Sequence, residues 1–429
     1  MSETKKSYHR RKLGNQLLKP ETLMMSYGYD PKFSEGSVTI PVFQTSTFVF
    51  PSAQAGKDYF DLATGRREAN SGEECGLIYS RLNNPDLQVL EERLAIWDDS
   101  EKVLAFSSGM AAISTTILTF CRPGDVIVYS HPIYGGTEHL IEEVLPEMNI
   151  KSVAFTAGCS DDDIKAAVEK AKGMGRLAMI LAETPANPTN KLVNLKLLDQ
   201  LADQAEVETG HKPVVAVDNT FLGPLWQRPL DHGVDLVLYS LTKYVGGHSD
   251  LVGGAVSGPD ELMSQVAGMR MMLGSMMDPH TSWLVMRSME TLKIRMEAST
   301  RTARTVAEFL RDHPKVTNVH YLGFMKKDDP QYDIYDEQCG SAGSTFAFEV
   351  KGGEAGAFRF LDNLKLAKLA VSLGGTETLI SHPASTTHSV VDPEVRADIG
   401  ITESLVRISI GLEHADDLIA DLTRGLDAV

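Results

Sequence analysis

The 429-residue chain is short of cysteine and of positive charge, and it has no long apolar run. Each shortage excludes something. The four cysteines, Cys75, Cys121, Cys159 and Cys339, form no CxxC pair, so neither a zinc knuckle nor a redox dithiol is indicated and no metal is expected. Four thiols scattered over this length fit a reducing, cytoplasmic setting better than a disulfide framework. No stretch approaches the roughly 20 apolar residues that a membrane helix needs. Lys and Arg number 41 against 58 Asp and Glu, a net charge of −17. That balance argues against nonspecific binding to nucleic acid or anionic membranes, so neither partner is expected. The N-terminus, ending in Arg10-Arg11-Lys12, is basic, but no apolar segment of the kind a secretory signal requires follows it. It reads as a flexible tail or as an arm reaching an acidic neighbouring subunit.

What is present is ordinary for a soluble globular protein: 42% hydrophobic and 23% charged residues. The length suggests two to three domains. Residues 1–86 look irregular, with one apolar β-branched run at Val38–Phe50 and a polar stretch at Thr64–Gly76 that reads as an exposed loop. Leu87, Leu90, Leu94 and Trp97 then recur at helical spacing, with Asp86 placed to cap the helix. From there to about residue 258 the pattern alternates. Strands are predicted at Lys102–Phe106, Asp125–Ser130, Lys151–Phe155, Leu177–Thr184, Pro213–Asn219 and Asp235–Ser240, and helices at Gly109–Phe120, Asp161–Met174 and Leu195–Thr209. Strands apolar on both faces and separated by helices predict an α/β fold, a mostly parallel sheet covered on both sides. After about residue 290 a helix at Ala298–His313, a strand at Ser344–Val350 and a helix at His414–Leu426 suggest a smaller α+β domain. The division expected is 1–86 as an arm, 87–290 as the large α/β domain and 291–429 as the C-terminal domain.

Ligands in open α/β sheets bind beyond the carboxyl ends of the strands. The first strand delivers Ser107-Ser108-Gly109-Met110 there, a glycine-containing turn opening a helix, which suits a phosphate. Asn187 follows another strand, pinned between Pro185 and Pro188. Asp218 closes an otherwise apolar strand, where a carboxylate needs a cation or hydrogen bonds. Lys243 follows a buried strand, flanked by Ser240 and Thr242 and followed by Gly246-Gly247. Desolvation makes such an amine nucleophilic, and the two hydroxyls alternate onto one side. No GxGxxG follows the first strand and no P-loop is present, so a nucleotide fold fails. A lysine for a Schiff base, an acid for a ring nitrogen and phosphate anchors are the set that pyridoxal phosphate needs.

The chain resembles the cystathionine γ-synthase/γ-lyase (Cys/Met metabolism) family of pyridoxal-phosphate enzymes from about residue 38 to its end. The resemblance rests on Tyr79-Ser80-Arg81, Ser108-Gly109-Met110, Tyr134-Gly135-Gly136-Thr137, Glu183-Thr184-Pro185-Ala186-Asn187-Pro188, Val217-Asp218-Asn219-Thr220, Thr242-Lys243-Tyr244 and Ser372-Leu373-Gly374-Gly375. It implies fold type I, with a seven-stranded, mostly parallel sheet and a smaller C-terminal domain. It implies that Lys243 holds the cofactor and shuttles protons, that Asp218 pairs with the pyridine nitrogen, and that Tyr134 stacks on the ring and serves in acid–base steps. Asn187 would bond the ring oxygen. Gly109, Met110, Ser240 and Thr242 would hold the phosphate, Ser372 would steer Lys243, and Arg407 would grip the substrate carboxylate through a two-pronged bond. Tyr79 and Arg81 would reach the phosphate of a neighbouring subunit in a homotetramer, a dimer of dimers with shared sites.

Two positions bear on which reaction is run on a small amino-acid substrate. Members that handle cystathionine carry acids just before the tyrosine of YSR and just before the serine of SLGG; this chain has Ile78 and Val371. The apolar pair favours a substrate whose far end is uncharged, and so γ-elimination from a methionine- or homocysteine-like molecule. Gly136, where methionine γ-lyases usually carry cysteine, and Met271, where an aspartate is expected, depart from that pattern. They keep γ-replacement open, as cystathionine γ-synthase or O-acylhomoserine sulfhydrylase. His382 and His388 read as structural or as lying near the site mouth. The methionines at 269, 271, 272, 276 and 277 read as core or subunit contacts, or as an adaptable substrate wall.

Overall fold

A computed structural model describes residues 8–70, 73, 75–389 and 391–429. Residues 1–7 of the basic tail, and residues 71, 72 and 74 of the 64–76 stretch, lie outside the described residues. Among its described residues the arm carries a short hairpin, Lys12–Leu13 with Gln16–Leu17, a single helical turn at Pro20–Leu23, and a longer helix, α1 (Ala53–Ala63), opened by Ser52, whose hydroxyl accepts from Ala55 N–H. The sequence reading had no helix there. The apolar run at Val38–Phe50 forms no ladder, only a bridge between Thr47 and Tyr79, and Val38 and Val49 stand about nine-tenths exposed (89% and 95%).

Helix α2 (Pro85–Asp98) starts the large unit. Its cap is Asn84, whose side chain accepts from Asp86 N–H, and not Asp86 as predicted. Pro85 takes the first helical position, where its missing N–H is harmless. Asp86 lies one residue further in and is buried, and it instead accepts from Phe43 N–H at 2.7 Å, tying the arm to the helix.

Seven strands follow: β1 (Lys102–Phe106), β2 (Val126–His131), β3 (Lys151–Thr156), β4 (Leu177–Glu183), β5 (Val214–Asp218), β6 (Leu236–Ser240) and β7 (Gly254–Gly258). They lie in the order β1-β7-β6-β5-β4-β2-β3. Only β7 runs against the others. It was not predicted, because Gly-Ala-Val-Ser-Gly holds a single β-branched residue. The intervening helices include α3 (Gly109–Phe120), α4 (Asp161–Lys172) and α5 (Leu195–Thr209). Side chains alternate between two cores: Val126, Val128, Val215 and Val217 pack with α4 and α5, and Ile127, Tyr129, Val214 and Ala216 pack with α3 on the other face. Period-2 alternation with both faces covered explains why the strands look uniformly apolar.

Helices α6 (Asp260–Leu273), α7 (Pro279–Met289) and α8 (Leu292–Asp312) lead to the second unit. Helix α8 begins six residues before the predicted start. Arg295, in its first turns, is buried and donates to Tyr244 O at 2.7 Å and Ser288 O at 2.9 Å, a charge that disguised the apolar face. The C-terminal sheet contains β8 (Val316–His320), β9 (Thr345–Val350), β10 (Lys368–Leu369), β11 (Leu379–Ser381) and β12 (Leu405–Ser409) in the order β8-β9-β12-β11-β10. Helix α8, with α9 (Gly353–Asp362) and α10 (Ala415–Asp427), covers it around Phe346, Phe348 and Phe360. No helix among the described residues is long and apolar enough to cross a membrane.

Candidate active site

Strands β1, β4, β5 and β6 run parallel, so their carboxyl ends share one edge. There they deliver Ser108-Gly109, Glu183, Asp218 and Ser240. The turn after β6 adds Lys243, and β12 of the second unit adds Arg407. A cavity of about 560 Å³ at this edge is lined by Gly109, Met110, Tyr134, Asn187, Asp218, Ser240, Thr242, Lys243, Val371, Ser372 and Arg407. All eleven were singled out from sequence. Ile78, Tyr79 and Arg81 do not line it. Ile78 is buried elsewhere, Tyr79 is exposed, and the Arg81 guanidinium donates to Met271 O at 3.4 Å. A larger cavity, about 1140 Å³, lies between the arm and α2 and holds none of the predicted residues.

Lys243 Nζ donates to Ser372 Oγ at 2.9 Å. Burial, and then the charge of Arg407, lower its amine from 10.5 to about 8, while Asp218 pulls the other way. Ser372 sits at φ +87°, a strained region for any residue with a side chain. The strain persists because Arg407 Nη2 donates to the Ser372 carbonyl at 2.9 Å and Ser409 Oγ accepts from Gly374 N–H at 2.8 Å. Arg407 Nη1 donates to Asn187 Oδ1 at 3.0 Å, which leaves the Asn187 amide nitrogen for another partner. Arg407 is buried, and burial lowers it to about 10.

Asp218 is buried and accepts from Thr220 N–H at 3.0 Å. Burial raises its carboxyl, against the Thr220 hydrogen bonds and Lys243. Ser108 caps α3 by accepting from Ala111 N–H at 3.0 Å. A side chain on Gly109 would come within 3.1 Å of Ser240 Cβ and 3.2 Å of its Oγ. The space between the start of α3 and the Ser240 hydroxyl is thus kept open only by glycine, and it faces the positive end of a helix. Thr242 Oγ1 accepts from Gly253 N–H at 3.0 Å, holding the lysine turn against β7. A buried acid, a depressed amine and this anion cradle share one cavity, which fits pyridoxal phosphate.

Sequence reasoning missed Glu183 as a site residue. It is buried, lines the cavity, and is the register partner of Asp218 on the adjacent strand. The signal was available: a carboxylate ends an otherwise apolar strand, as with Asp218. Of the methionines considered as a wall, none lines the cavity, and Met277 is core. His382 is structural, bonded to Ser385 Oγ at 2.8 Å and Glu403 O at 3.0 Å. His388 is buried beside the cavity residue Thr387, and burial lowers it to about 4.

A fold-type-I sheet whose edge holds a buried lysine, an aspartate and an anion cradle defines a pyridoxal-phosphate enzyme. The family model described as Cys/Met metabolism PLP-dependent enzyme matches residues 21–427, and the chain belongs to that family. It is 41% identical over 396 residues to an L-methionine gamma-lyase of Fusobacterium nucleatum subsp. nucleatum, covering 92% of this chain and 94% of that one. It is 36% identical over 413 residues to a cystathionine gamma-lyase of Bacillus subtilis, covering 96% and 100%. A crystal structure of cystathionine gamma synthase from Xanthomonas oryzae pv. oryzae, in complex with aminoacrylate and cysteine, superposes with a TM-score of 0.84 at 33% identity, covering 96% and 99%. The chain is therefore a pyridoxal-phosphate-dependent enzyme of sulfur amino-acid metabolism, within the lyases and γ-replacement transferases of the trans-sulfuration group.

Proposed function

We propose that the enzyme catalyses γ-elimination from a methionine- or homocysteine-like amino acid, releasing 2-oxobutyrate, ammonia and a thiol. The observation that carries this is Val371: it is exposed, lines the cavity beside Ser372, and gives that wall an apolar face. A distal ammonium there finds an aliphatic side chain where a paired carboxylate would serve it, whereas a thioether packs on that side chain without needing a charge partner.

The residues divide the work. Pyridoxal phosphate, when bound, supplies an electron sink for negative charge developing on substrate carbon. Lys243 would hold it covalently, Asp218 would pair with its ring nitrogen, and Asn187 would meet its ring oxygen. Gly109 and Met110 N–H groups, with the Ser240 and Thr242 hydroxyls, take the phosphate. Arg407 fixes the substrate carboxylate with its two-pronged guanidinium. That fixes Cα near Lys243, whose amine, once the substrate's own amine has taken its place on the cofactor, would be close enough to neutral to accept a proton at physiological pH. Ser372 aims that amine through its 2.9 Å contact. Tyr134, which lines the cavity, would stack on the ring and exchange protons with the departing group. Tyr79 and Arg81 act in the site of a partner subunit within a homotetramer, which accounts for their lying outside this chain's own cavity, whereas Ile78 is buried within its own chain and takes no part there.

One observation favours γ-replacement as a second reading. A side chain on Gly136 would lie 2.7 Å from the Tyr134 ring and 3.2 Å from Met110 Sδ. The ring packs where methionine γ-lyases usually carry a cysteine, so that thiol is missing here. The experiment is product analysis of the holoenzyme. 2-Oxobutyrate from methionine and homocysteine, with little from cystathionine, supports elimination. Turnover only of an O-acylhomoserine with a thiol overturns it in favour of replacement.

A further inference from the structure

Glu183 has no part in the division of labour above, yet it is among the most buried charged groups in the cavity. Its Oε2 accepts from Tyr134 N–H at 2.6 Å, and Asn187 N–H also points at its carboxyl. Its own N–H donates to Ser130 Oγ at 2.9 Å, so both ends of the residue are fixed to the sheet edge. On the adjacent strand its register partner is Asp218. One side chain thus meets the backbones of two residues, one assigned to the face of the cofactor ring and one to its oxygen, and it is anchored one strand from Asp218.

We propose that Glu183 is a positioning residue that holds the Tyr134 and Asn187 backbones in register with Asp218, setting where the phenol and the amide meet the cofactor ring. The inference rests on the cavity holding pyridoxal phosphate and is independent of which sulfur amino acid is the substrate.

Glu183 does this work as the neutral acid. The charged groups facing it are Asp218, which opposes its ionisation, and Arg407, which favours it. Arg407 directs Nη1 at Asn187 and Nη2 at the Ser372 carbonyl, and Lys243 Nζ bonds Ser372. Among the described residues no cation forms an ion pair with Glu183. Burial and the neighbouring Asp218 then raise its carboxyl well above the usual range, which agrees. A neutral carboxyl still accepts the Tyr134 N–H through its carbonyl oxygen.

The test uses full-length apo-protein reconstituted with pyridoxal phosphate and compares native protein with Glu183→Gln and Glu183→Leu. Glutamine keeps a carbonyl acceptor and no charge. It is expected to bind the cofactor within about twofold of native, with an unchanged pH midpoint of the bound cofactor's visible band. Leucine removes the acceptor and is expected to weaken cofactor binding about tenfold and reduce its induced circular dichroism. In a Tyr134→Ala background that leucine effect should shrink to the part carried through Asn187, a coupling that general loss of packing does not produce. If the leucine protein does not fold, Glu183→Asp, one methylene too short to reach Tyr134, is expected to show the same loss of dichroism. Leucine or aspartate binding as native, a glutamine variant with a displaced pH midpoint, or additive losses with Tyr134→Ala would each overturn the proposal. Failure of native protein to bind the cofactor would instead refute the cofactor reading.

Discussion

The reactivity of Lys243 gives the sharpest quantitative expectation. With its amine at about 8 rather than 10.5, about 10% is unprotonated at pH 7, against roughly 0.03% for an ordinary lysine. That is roughly a 300-fold gain in nucleophile. Burial is the larger cause and Arg407 the next, with Asp218 opposing both. Arg407→Gln should therefore move the amine upward and slow its reaction at neutral pH. Asp218→Asn should move it further downward. The assay is the rate at which apo-protein combines with pyridoxal phosphate, followed by absorbance from about pH 6 to about pH 11. The native rate should rise and level off near pH 8, with the two variants displaced to opposite sides. Apo-protein stability carries the same signature. Between about 8 and 10.5 the folded amine binds fewer protons than the unfolded one, so this group makes stability rise with pH across that window and contributes no slope below it. An inflection near 10.5, or variants displaced the wrong way, would refute the reasoning.

Three other expectations follow from the geometry. Gly374→Ala forces a side chain into a φ of +75° and within 2.7 Å of Tyr244 N, so it should destabilise the fold by at least about 1–2 kcal/mol and lower the melting temperature. Gly109→Ala meets Ser240 Cβ and Oγ at 3.1 and 3.2 Å and its Cα at 3.3 Å, a tight fit that a shift of a few tenths of an ångström relieves, so the fold should hold while cofactor affinity, read by equilibrium dialysis, falls about tenfold. Val371→Glu places a carboxylate on the apolar wall. The ratio of kcat/KM for cystathionine to that for methionine should rise about tenfold or more, and an unchanged ratio would show that this wall does not contact the substrate's far end.

Much of this was legible because the chemistry sits where chain pattern is strongest. Asp218 ends a buried strand and Lys243 and Asn187 each follow one, and a polar group at that point is conspicuous. The strand order was not legible. The antiparallel β7 consists largely of small residues, and its assignment depends on β1 and β6 closing around it. Asp86 was read as a cap from its charge alone. Its real partner, Phe43 N–H, lies 43 residues away and no local pattern announces it. Glu183 was overlooked because it falls inside a motif read for its proline turn, although its place at the end of β4 matches that of Asp218 at the end of β5. Ile78, Tyr79 and Arg81 carry the family motif and yet lie away from the cavity of their own chain. In the proposed homotetramer, Tyr79 and Arg81 would complete the site of a neighbouring subunit.

The covalent attachment point is the most direct test of the account. Holoenzyme reduced with borohydride should lose its visible absorbance, and peptide mass spectrometry should find the pyridoxyl phosphate adduct on the peptide containing Lys243, with no adduct in Lys243→Ala. An adduct on a different lysine, or a Lys243→Ala protein that still carries the reduced cofactor covalently, would contradict it.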